Sequence, residues 1–148
     1  VSDDEPVGDP GDALRRLVCF VAASLDVPYA YIAAHTPPRD EREASGVTVW
    51  LARDYGLQFE FAELYGVRGG APGAGGHLEA LHRLWPGLAS LLGVCARGVP
   101  LHDDRGVLLG HLAVLSPAPS RREGDAARLE PLARAAAAKL QRWLGTRP

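Results

Sequence analysis

A chain of 148 residues, 47% hydrophobic and 23% charged, has the length of one domain and the balance of a folded globule rather than of a disordered chain. Its net charge of −2 gives no overall attraction for nucleic acid or anionic lipid, since both need a basic face. No apolar run approaches the roughly 18 residues of a membrane span. The acidic start Val1-Ser2-Asp3-Asp4-Glu5 is unlike a signal peptide, so the sequence predicts a cytoplasmic protein with neither nucleic-acid nor membrane partners. With no Met, it reads as a piece of a longer protein. Cys19 and Cys95 are too few and too far apart for a metal knuckle or a redox motif, and each sits in an apolar run as a small hydrophobe.

Residues 1–11 carry Pro, Gly and acids without periodicity and read as a linker or frayed terminus. From Asp12, an N-cap candidate, Leu14, Leu17, Val18, Val21 and Leu25 trace one helix face. Val27-Pro28 ends it. Residues 29–35 read as a strand, 36–45 as a polar loop and 47–52 as a second strand; Gln58-Phe59-Glu60-Phe61 is a short alternating strand near an edge. Residues 66–76 hold six Gly and one Pro, too permissive for regular structure, and point to a cover over an opening or to disorder. Short helices are expected around Leu78 to Leu84 and Leu88 to Leu92. A hairpin follows, Gly93 to Leu101 and Val107 to Leu115 around Asp103-Asp104-Arg105-Gly106, whose Asp and Gly serve turn geometry. Ser120 and Glu123 have capping-box spacing, and Leu129, Leu132, Ala133, Ala136, Leu140, Trp143 and Leu144 then predict a helix over 125–144, with a tail at 145–148. The order predicts an α+β domain: one mainly antiparallel sheet from Tyr29 to Leu115, both terminal helices on one face and a loop and short-helix lobe on the other.

Several stretches carry a resemblance. Leu25-Asp26-Val27-Pro28-Tyr29-Ala30-Tyr31, Val49-Trp50-Leu51-Ala52, Phe59-Glu60-Phe61, Gly98-Val99-Pro100-Leu101 and Gly110-His111-Leu112-Ala113-Val114 resemble, in order and over residues 12–144, the GAF domains of bacterial sensor kinases and related regulators. The resemblance implies a noncatalytic sensory domain that binds a small molecule on the sheet face away from the terminal helices and relays to an output domain through those helices. Many relatives place Thr-Pro-Cys after the aromatic strand, where this chain has Gly69-Gly70-Ala71-Pro72-Gly73. The Asn-Lys-x-Asp motif of cyclic-nucleotide-binding members is absent too, the chain having no Asn. Neither a covalent bilin nor a cyclic nucleotide is therefore expected, and no cofactor is assigned.

Strand alternation puts Cys95, Arg97 and Val99 on one face of their strand. With the hairpin in register, Arg97 and His111 would share the ligand face, an anchor and a tunable imidazole among Tyr31, Trp50, Phe59 and Phe61, suited to an aromatic or carboxylate-bearing ligand. The bland alternative pairs Arg97 with Glu60 or Glu63 and leaves His111 half exposed. His77 and His82 lack the spacing for metal ligation from one helix face, and no nucleophile elbow or phosphate loop is present. The candidate ligand residues are Arg97, His111, Trp50, Tyr31, Phe61 and Cys95. The terminal helices, with a broad surface of small apolar residues, would form a homodimer in which a charge at Leu140 or Trp143 yields folded monomer. The competing function is a degenerate scaffold of the same type that serves only to dimerise, its pocket filled by its own side chains.

Overall fold

The computed structural model describes residues 10–36, 46–65, 96–115 and 125–146. Helix α1 (Pro10–Leu25) leads to β1 (Tyr29–Thr36) and β2 (Gly46–Arg53). A 3-10 turn (Asp54–Gly56) joins β2 to β3 (Gln58–Tyr65), and β4 (Ala96–His102), β5 (Leu108–Leu115) and α2 (Asp125–Gly145) complete the order. The strands form one five-stranded sheet in the order β3-β2-β1-β5-β4, every neighbour antiparallel. The chain is therefore of the α+β class. Cys95, the glycine-rich segment 66–76, the short helices expected up to Leu92, the loop 37–45, the capping-box residues Ser120 and Glu123, and residues 1–9 lie outside the described residues.

The apolar stripe read from the sequence is the buried face of α1: Leu14, Leu17, Val18, Val21, Ala22 and Leu25. The helix begins earlier than expected, at Pro10, where the fixed φ of proline and its missing N–H suit the first turn. Asp12 is accordingly inside the first turn rather than the N-cap, and its carboxylate pairs with the Arg16 guanidinium at 2.9 Å. At the other end α2 runs through Pro131 to Gly145, and Thr146 closes it with its hydroxyl donating to the Trp143 carbonyl at 2.7 Å.

Both helices pack on one face of the sheet. Leu14, Val18, Val21, Leu129, Ala133, Ala136 and Leu140 share a core with Ala30, Ile32, Ala34, Trp50, Ala52, Leu112 and Val114. The opposite face carries a second buried cluster of Tyr31, Ala33, Val47, Val49, Leu51, Ala113 and Leu115. Burial on both faces explains why β1, β2 and β5 read as continuous apolar runs. β3 is longer than the four residues expected, because it pairs along the whole of β2 from Arg53 with Gln58 to Gly46 with Tyr65; its edge position is as expected.

Two glycines are required by contact. At Gly56 (φ +93) an added Cβ would lie 2.4 Å from the Cys19 carbonyl oxygen of α1, so the β2–β3 turn can press on the helix only without a side chain. It follows Asp54 and Tyr55, both also at positive φ. At Gly110, in β5, the same atom would meet the Ala33 carbonyl oxygen of β1 at 1.9 Å, and backbone cannot yield as a flexible side chain can. Gly110→Ala should therefore force β5 and β1 apart and lower stability by about 1–3 kcal/mol or more, the range for overpacking, read as a fall in the urea midpoint.

Candidate functional site

The sheet register sorts the sequence candidates into two groups. Cross-strand partners share a face. Ala33 pairs with His111 and Tyr31 with Ala113, so Tyr31 and His111 lie on the face without helices. Alternation along β1 adds His35 to the same row. Tyr31 is fully buried and His111 only 5% exposed, and the His35 and His111 rings meet edge to face with centroids 6.1 Å apart.

Trp50 and Phe61 stand on the other face. Trp50 pairs with Ile32 and Phe61 with Trp50, and both Trp50 partners belong to the helix side. The Trp50 ring packs edge to face on Trp143 of α2 (4.8 Å) and on Phe61 (5.5 Å). Phe59, one step along the same row, lies under the Arg15 guanidinium of α1 at 5.4 Å. Of the aromatic residues expected as pocket walls, Trp50 is thus part of the helix–sheet core with Phe59 packed against it, Phe61 lies on the same face with about half its surface exposed, and only Tyr31 shares a face with His111.

Arg97 is a second correction. Its register partner is Val114, whereas that of His111 is Pro100, so the two positions fall on opposite rows of the hairpin and cannot form the expected pair. The bland alternative fails for Glu60 as well, because β3 and β4 are the opposite edges of the sheet; the Glu60 carboxylate accepts from the Arg53 guanidinium at 3.0 Å. At the hairpin tip the expected turn role holds: the Asp103 carboxylate accepts from the backbone N–H of Arg105 (2.8 Å) and of Val107 (2.9 Å).

The electrostatics of the Tyr31–His35–His111 row follow from burial. Loss of water pushes the Tyr31 phenol well above its ordinary range and pulls the His35 imidazole below 6.5. His111 is lowered too, first by burial and then by the proximity of His35 and His102. At neutral pH the row is uncharged: a phenol and two neutral imidazoles, groups that exchange hydrogen bonds with a polar, uncharged molecule better than with a carboxylate. Among the described residues no group of three or more His, Cys, Asp and Glu is placed to hold a metal ion.

A pH dependence follows. The folded state disfavours protonation of both imidazoles, so below about pH 6.5 the unfolded chain takes up protons first. The stability due to the neutral row is complete above that pH and is lost as pH falls toward the folded pKa values. The urea midpoint should decline as pH falls below the ordinary imidazole value of 6.5, and the decline should be smaller in His111→Gln. An equal slope in both proteins would show that this row does not govern it.

Sequence reasoning passed over His35. The signal was present in β1, where Tyr29, Tyr31, Ala33 and His35 alternate with Ala30, Ile32 and Ala34, so any site that used Tyr31 would also reach His35. No described helix is long and apolar enough to cross a membrane. Compared with protein-family models, with curated proteins and with solved structures, the chain has no match.

Proposed function

We propose that this chain is a noncatalytic regulatory domain of the GAF type, part of a cytoplasmic signalling protein, that takes up a small uncharged molecule at Tyr31, His35 and His111 and relays its presence to an output domain through the terminal helices. The observation that carries the reading is the segregation of the two sheet faces. Both helices lie on one, and a row of neutral hydrogen-bonding side chains lies on the other, in strands joined through one register. A ligand that binds one arrangement of the sheet better than another shifts the population, and α1 and α2, packed against the same strands, follow. The anionic ligand expected from Arg97 gives way to an uncharged one, because the row offers no cation at neutral pH.

A second reading is favoured by the burial of the row. Tyr31 has no exposed surface and His111 almost none, as in a scaffold whose pocket is filled by its own side chains. Thermal shift across a library of neutral metabolites separates the two. On the sensory reading a subset of compounds raises the melting temperature in proportion to the logarithm of concentration, and His111→Ala removes the rise. A library without effect, together with a dimer by analytical ultracentrifugation, supports the scaffold.

A further inference from the structure

The two edges of the sheet are built differently. β4 forms one of them, and there Pro100 has no N–H to offer a further strand and the pairing with β5 shifts register between Leu101 and His102, two devices that discourage association edge to edge. β3 forms the other. Its eight residues, Gln58–Tyr65, contain no proline, lysine or arginine and pair with β2 without a register shift. A strand with one neighbour turns half of its backbone N–H and C=O groups outward, and among the described residues no strand lies beyond β3.

The side chains of this edge are also those of a contact. Of the five large apolar side chains most open to solvent among the described residues, three, Tyr55, Leu57 and Phe61, lie on β3 or in the turn that leads into it. Phe59, Phe61 and Glu63 alternate onto the helix side of the strand, opposite Ala52, Trp50 and Thr48 of β2. The Arg15 guanidinium of α1 lies over Phe59, while Phe61 stays 47% exposed. On the opposite side of the strand Glu60 is paired with Arg53.

We infer that β3 pairs with β3 of a second copy of this chain, antiparallel across a two-fold axis that stands normal to the sheet at Phe61. Such an axis keeps both helix layers on the same side and sets a residue opposite its own image. Centring it on Glu60 or on Glu63 would oppose like charges, and centring it on Ala62 would set each Phe61 against a carboxylate, away from Arg15. Centred on Phe61, the two half-exposed rings meet, Glu60 falls opposite Ala62, and the partner's Glu63 falls opposite Phe59, on which Arg15 lies. The contact of Arg15 with the partner's Glu63 then occurs twice. This self-complementarity selects a second copy over an unrelated strand. The pairing holds under either reading of the histidine row, which lies on the other face of the sheet.

A single strand pair is a small interface, so sedimentation equilibrium of the whole chain from about 1 µM to about 200 µM, the range of weak contacts, should show a reversible monomer–dimer exchange. Phe61→Lys, which sets a lysine against its own image, should leave only monomer. Arg15→Glu and Glu63→Arg, both at exposed positions, should each weaken association roughly tenfold, because two contacts between opposite charges become repulsive. The double variant should return it to within about threefold of the parent. Circular dichroism checks that each variant is folded; should Phe61→Lys lose its melting transition, the charge reversals and their mutual rescue decide alone. A parent that stays monomeric throughout, a dimer that folded Phe61→Lys leaves intact, or a double variant no better than its single components would overturn the pairing, as would a dimer lost on Arg134→Glu at the outer surface of α2.

Discussion

A Leu140→Asp variant should lose its fold rather than separate into folded monomers. Leu140 has no exposed surface and sits in the helix-side core with Leu14, Val18 and Ile32. Removing the leucine side chain from such a site costs about 2–5 kcal/mol, and the aspartate adds an unpaired charge in an apolar setting, worth about 3–5 kcal/mol when a buried partner is missing. Together these match the whole stability of an ordinary domain, about 5–15 kcal/mol. Far-UV circular dichroism should show the loss of helix and analytical ultracentrifugation the absence of a compact monomer. A cooperatively melting monomer would show that Leu140 faces a partner instead of its own sheet.

The same comparison revises the dimer expected from the terminal helices. Leu129, Ala133, Ala136 and Leu140, most of the α2 stripe, are used within the domain, and Trp143 is held by Trp50. What α2 leaves outward is mostly polar, with Arg128, Glu130, Arg134, Gln141 and Arg142 exposed. An apolar stripe in a sequence states that a helix has something to cover and is silent on whether that is its own sheet or another subunit. Here the sheet takes it.

How far the sequence could be read follows from what each pattern encodes. The two helices, the five strands, β3 only in its first half, and the Asp103 turn follow from local signals that residues carry on their own: spacing, alternation and turn chemistry. The face of each strand does not. Alternation says that Arg97 and Val99 agree with one another, but whether they agree with His111 is fixed by the turn between the strands, and a slip of one residue reverses every side chain. The β4–β5 pairing shifts register between Leu101 and His102, which no count of alternating residues anticipates. For Trp50 the difficulty is different. Val47, Val49 and Leu51 on one face and Trp50 and Ala52 on the other are all buried, so β2 has no polar side by which to tell inward from outward.

The position of Trp50 is therefore a matter for measurement, and Trp50→Ala should be among the most damaging single substitutions in the chain. Its ring is 2% exposed and is flanked edge to face by Trp143 and Phe61. Truncation leaves a cavity that the surrounding helix and strands fill only in part, a loss of about 3–5 kcal/mol, with roughly 0.5–1.5 kcal/mol more for each aromatic pair broken. The melting temperature should fall by roughly 10 °C or more, and Trp143, no longer covered, should emit at longer wavelength. His111→Gln supplies the contrast. Placed on the opposite face, it should leave the Trp143 emission unchanged while removing stabilisation by a neutral ligand. Were Trp50 a wall of the ligand site instead, its loss would abolish ligand stabilisation at little expense to the fold, and Trp143 would not respond. The two substitutions thus separate the faces of one sheet: damage to the core travels through Trp143 to α2, whereas loss of His111 leaves Trp143 unmoved and removes the stabilisation by the proposed ligand.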